Sequence, residues 1–187
     1  YAEVYNNLGI IFKEQGRIKE AIEAYNKALI IKPDYAEVYN NLGISLNDQG
    51  KINEAIEAYN KALIIKPGYA EVYNNLGVSL SEQGKLYEAV EAYDKTLSLK
   101  PGYNQAYSNL GVSLKSLIFN KPNRGFQDRI LSLLDKKKYA RPSDLANAII
   151  SLLKFEPALQ KYLRMDCSGL SKISLMEVIS DLSRIPL

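Results

Sequence analysis

The chain has 187 residues, 47% hydrophobic and 24% charged, so it has enough apolar content for a substantial core. It contains no histidine and a single cysteine, Cys167, which excludes histidine-based triads, histidine metal sites and an intrachain disulfide. The formal net charge of +3 is unevenly placed: up to residue 116 there are 12 Lys+Arg against 14 Asp+Glu, and after it 12 against 7.

In residues 1–34, Tyr5, Leu8, Gly9 and Phe12 fall at i, i+3, i+4 and i+7, one face of a helix. Gly16 interrupts in the Glu-Gln-Gly-Arg turn, where a residue tolerating positive φ ends a helix. Ile18, Ala21, Ile22, Tyr25, Ala28 and Leu29 then repeat the helical spacing until Pro33 stops it. Small residues at Gly9, Ala21 and Ala28 let the two helices approach, and the tyrosines are expected to fill the space between units. The same text returns as 35–68 with seven positions changed (11, 12, 13, 14, 17, 19 and 34), returns again as 69–102, and restarts at Tyr103. A fixed 34-residue period is the signature of a helical solenoid.

These residues resemble the tetratricopeptide repeat (TPR) family. The first unit matches at Tyr5, Leu8, Gly9, Phe12, Gly16, Ala21, Tyr25, Ala28 and Pro33, and the second at Tyr39, Leu42, Gly43, Leu46, Gly50, Ala55, Tyr59, Ala62 and Pro67. The third matches at Tyr73, Leu76, Gly77, Leu80, Gly84, Ala89, Tyr93 and Pro101, with Thr96 in place of the small Ala. The resemblance implies an all-α fold, a TPR helix–turn–helix solenoid wound as a right-handed superhelix. It covers 1–116, as units 1–34, 35–68 and 69–102 and a partial unit 103–116.

Tyr107, Leu110, Gly111 and Leu114 continue the pattern for one more first helix, but Ile118 and Asn123 stand where the repeat needs small residues. Residues 117–187 are therefore read as a non-repeat helical extension that caps the array. Its expected helices carry Phe126, Ile130, Leu133 and Leu134; then Leu145, Ala148, Ile149, Leu152 and Leu153; then Leu159, Tyr162 and Leu163; and finally Leu175, Val178, Ile179 and Leu182 behind a Ser174/Glu177 capping box. Its text RPSDLANAIISLLKFEPALQKYL resembles the segment that follows TPR arrays in bacterial proteins with a methyltransferase-like domain, and it holds no catalytic motif. The chain opens on a repeat without an initiator Met and reads as a fragment.

Opposite the core face of each first helix runs a second stripe: Glu3, Asn7, Ile10 and Glu14, repeated as Glu37, Asn41, Ile44 and Asp48, then Glu71, Asn75, Val78 and Glu82, then Gln105, Asn109, Val112 and Ser116. Asparagine is a poor interior helix residue, costing about half a kcal/mol relative to Ala. Its amide supplies both a donor and an acceptor, which suits a peptide backbone. TPR resemblance implies that first helices line a concave groove, and the Asn row is similar to that of O-linked N-acetylglucosamine transferases. Asn7, Asn41, Asn75 and Asn109 are thus expected to bind peptide, with Asn6, Asn40 and Asn74 as further candidates and Glu3, Glu37 and Glu71 meeting basic side chains. The alternative is that these asparagines are solvated or bond between repeats.

Of the 14 tyrosines, 12 lie in 1–116, mostly at packing positions, and the Lys136–Lys138 run lacks interleaved aromatics, so nucleic acid is not expected as a partner. No Gly-rich phosphate loop is present, no cofactor or metal is implied, and no apolar run is long enough for a membrane span. The sequence reads as a non-enzymatic scaffold for a protein or peptide ligand, with a cytoplasmic location the simpler one. A substrate-recruiting arm of a larger bacterial transferase is the alternative. Self-association through the uncapped N-terminal face, residues 1–12, is a third option.

Overall fold

The structure is a computed structural model and describes residues 1–117, so the helices expected after that point, and the second resemblance, lie outside the described residues. Six helices pair as hairpins: α1 (Ala2–Glu14) with α2 (Ile18–Ile31), α3 (Ala36–Asp48) with α4 (Ile52–Ile65), and α5 (Ala70–Glu82) with α6 (Leu86–Leu99). A seventh, α7 (Asn104–Ser116), opens the fourth repeat. Residues Tyr1–Ala106 form one compact unit and Tyr107 onward belongs to a second, so the division falls inside α7, whereas the repeat text runs on to 116.

The turns follow from the sequence. Gly16, Gly50 and Gly84 take φ of 74, 75 and 74°, the left-handed region in which a side chain is strained. In the first turn Gly16 N–H donates to Lys13 O at 2.9 Å and Arg17 N–H to Phe12 O at 2.8 Å, the paired bonds that satisfy the last carbonyls of a helix. Arg17 also lays its guanidinium over the Phe12 ring, 4.3 Å from the centroid. Each second helix ends before a Lys-Pro pair. The proline excludes helical geometry at the residue before it, and Lys32 and Lys66 are extended at φ −134° and −133°.

Within each hairpin the helices approach through glycine. A Cβ on Gly43 would lie 2.5 Å from the Tyr59 ring, and one on Gly77 would lie 2.6 Å from Tyr93; Gly9 meets Tyr25 in the same way. Tyr25, Tyr59 and Tyr93, each at most 2% exposed, therefore sit over the glycine of their own hairpin, rather than only in the space between units where the sequence reading put the tyrosines. Between units, α3 packs on α2 and α5 on α4, burying Val38 and Val72 completely. First helices also touch one another, α1 with α3 and α3 with α5. This makes the first-helix side a continuous face.

Candidate functional site

The stripe of expected ligand-facing residues runs along that face. Glu3, Glu37 and Glu71 are exposed, as are Glu14, Asp48 and Glu82 at the other ends of the same helices. Ile10, Ile44 and Val78 between them are half-buried. Two acidic rows thus flank an apolar one. Lys13 Nζ lies 4.0 Å from Asp48 Oδ2, both partly exposed.

The asparagines divide by depth. Asn6, Asn40 and Asn74 are 4%, 3% and 1% exposed, beneath the surface. Asn7 is exposed, and Asn41 and Asn75 are half-buried. Asn41 Nδ2 donates to Asn6 Oδ1 at 3.0 Å, and Asn75 Nδ2 donates to Asn40 Oδ1 at 3.0 Å. The outer asparagine of one unit is therefore tied to the inner one of the unit before it. The tie uses one of the two amide hydrogens, and Asn75 Oδ1 also accepts from Asn74 Nδ2 at 3.5 Å. Asn109 is half-buried on α7, within the second compact unit. Bonding between repeats is the alternative that the sequence leaves open for these asparagines; the partners, 35 residues apart, are set by stacking.

The first inter-unit junction holds a cavity of about 470 Å³ lined by Ile10, Lys13, Glu14, Tyr25, Asn41 and Asp48. Tyr25 is 0% exposed, and its hydroxyl has no hydrogen-bond partner. Burial pushes this phenol up to about 12, helped by the charge of Glu14; Ser45 opposes the rise slightly but does not meet hydrogen-bond geometry with it. Tyr59, the equivalent residue one unit on, is raised too, first by burial and then by Asp48 and Glu82. No group of three or more His, Cys, Asp or Glu among the described residues could hold a metal ion, and none of the described helices is long and apolar enough to cross a membrane.

Two TPR family profiles match the chain, one described as TPR repeat over residues 9–46 and 44–84, the other as Tetratricopeptide repeat over 70–103. The chain belongs to the tetratricopeptide repeat family. Among solved structures it is similar to the first TPR of Spaghetti (RPAP3) bound to the HSP90 peptide SRMEEVD, at 25% identity and a TM-score of 0.61, over 62% of this chain and 91% of that one. It is similar to MamA at 26% identity and a TM-score of 0.61, over 82% of this chain and 80% of that one. The Sgt2 TPR domain from Aspergillus fumigatus shares the fold at 20% identity and a TM-score of 0.60, over 62% of this chain and 78% of that one. A comparison with curated proteins found no match.

Proposed function

We propose that the TPR array is a non-catalytic interaction module whose first-helix face binds an extended, basic peptide segment. In this reading Asn7, Asn41 and Asn75 take the peptide backbone, and Glu3, Glu37 and Glu71 take its basic side chains. The observation that carries the proposal is the pair of exposed acidic rows, Glu3/Glu37/Glu71 and Glu14/Asp48/Glu82, on helices that touch in sequence order. The half-buried amides of Asn41 and Asn75 add hydrogen-bonding groups for a peptide main chain. Asn6 and Asn40 act beneath this surface, through Asn41 and Asn75, which they hold, and Asn74 acts through its bond to Asn75. The peptide in the similar RPAP3 complex, SRMEEVD, carries three acidic residues, and this acidic face is suited to the opposite charge.

Fluorescence anisotropy with labelled lysine-rich, neutral and glutamate-rich extended peptides tests the reading. The basic peptide should bind best, and Asn41→Ala combined with Asn75→Ala should weaken it, with circular dichroism confirming that the variant is folded. Unchanged affinity in the folded double variant would sink the proposal. The alternative, a recruiting arm of a larger transferase, uses the same face and gains no separate support from its geometry.

Self-association has an observation of its own. Val4, Leu8 and Ile11 are 62%, 36% and 48% exposed on α1, whereas Val38, Leu42 and Ser45, their equivalents in the next unit, are 0%, 8% and 0% exposed on α3, which packs against α2. The face of α1 is one that elsewhere in the molecule is covered, and a second copy is the partner proposed for it.

A further inference from the structure

We propose that the cavity at the first inter-unit junction seats one basic side chain, arginine above lysine, from the segment bound along the first helices, which builds on the groove reading above. The two junctions between complete units are not alike. At the second, Ser79 Oγ donates to Asn47 Oδ1 at 2.7 Å. At the first, the residue equivalent to Asn47 is Lys13, which turns to Asp48, and Ser45 Oγ is left buried without a partner. Tyr25 Oη is unsatisfied beside it, although both residues are 0% exposed. Buried polar groups in native proteins have partners as a rule, so an orphan hydroxyl on a cavity wall marks a place where a ligand atom belongs.

The lining specifies that ligand. Glu14 and Asp48 supply two carboxylates against the one ammonium of Lys13, so the seat favours a cation. Ile10 offers an apolar wall for a methylene stem. Asn41 adds an amide whose Oδ1 can accept from the ligand, its Nδ2 being bonded to Asn6. Tyr25 keeps its proton, and its oxygen can accept from an incoming N–H. A guanidinium brings five N–H donors in a planar fork and can reach a carboxylate and a hydroxyl together, whereas an ammonium is a point charge. The Lys13–Asp48 contact is long and partly exposed, so an entering guanidinium displaces it readily.

The test uses two fluorescein-labelled heptapeptides, AASXSAA, with X either arginine or its neutral isostere citrulline, titrated into the full chain. The arginine peptide should bind about tenfold more tightly, a difference that one charge-assisted hydrogen-bond set provides. In Glu14→Gln combined with Asp48→Asn that ratio should fall to near one. Tyr25→Phe removes only an unpartnered hydroxyl, and should keep the fold while lowering the ratio. N-acetylargininamide, followed by NMR, should shift the Ile10 methyl signals. Equal affinity of the two peptides, or a ratio that survives the double substitution, overturns the seat and leaves peptide binding along the face intact. Shifts at Ile10 without binding of any peptide uphold the seat and overturn the groove reading. Neither shifts nor binding overturns both.

Discussion

Asn75 Nδ2 donates to Asn40 Oδ1 at 3.0 Å across a unit boundary, and Asn41 makes the same bond to Asn6. The inner partner is buried in both pairs, so the bond works as a rivet between units. Replacing Asn40 by Ala should cost about 1–2 kcal/mol, since a part-buried donor loses its acceptor. Replacing the exposed Asn7 should change stability by less than about 0.5 kcal/mol. Urea unfolding of the two variants checks this, and equal midpoints would show that the buried bond carries no weight.

Glycine positions should separate by cause. Gly43→Ala drives a methyl into the Tyr59 ring and should destabilise by about 1–3 kcal/mol. Gly50→Ala meets nothing within 4 Å, but its φ of +75° should cost about 1–2 kcal/mol. Gly68→Ala is open on both counts and should be neutral or slightly stabilising. Thermal melts of the three variants give the order directly.

Alkaline pH should weaken the fold. A phenol whose folded value is raised keeps its proton while the unfolded chain loses its own. The stabilisation is complete below the ordinary value of 10 and drains away as pH climbs toward about 12 for Tyr25. The slope should be about 1.4 kcal/mol per pH unit for each such tyrosine. Tyr59 is raised for the same reason and adds to it. Circular dichroism between about pH 9 and 12 should show a steeper loss in the parent than in Tyr25→Phe; identical curves would count against burial of that hydroxyl.

The N-terminal face should respond to charge. If Val4 and Leu8 meet a second copy, Val4→Lys with Leu8→Glu should abolish concentration-dependent association in sedimentation velocity, with little effect on folding because both sites are exposed. A strict monomer in the parent at every concentration removes the proposal.

The hairpins, their turns and the small-residue approach were legible because each depends on residues close in sequence. The alternation of Tyr5, Leu8 and Gly9 with the Gly16 turn needs no partner to be read. What the sequence left open was the partners between units. Asn41 and Asn6 are 35 positions apart, and spacing along one helix does not say which residue of the preceding unit receives the outer amide. The cavity left a trace in the text, since four of the seven changes between the first two units, at 11–14, cluster at the end of α1. Only stacking shows that position 13 governs the partner of Ser45 one unit later.

The riveted asparagines carry a consequence for array length. Each complete unit brings an inner acceptor and an outer donor, so a further copy of residues 35–68 inserted in register would arrive with both halves of its own joint. Lengthening of that kind would multiply junctions of the Asn47 type and leave the Lys13 junction single. A longer descendant would gain reach for its ligand while keeping one fixed point from which the ligand's register is counted.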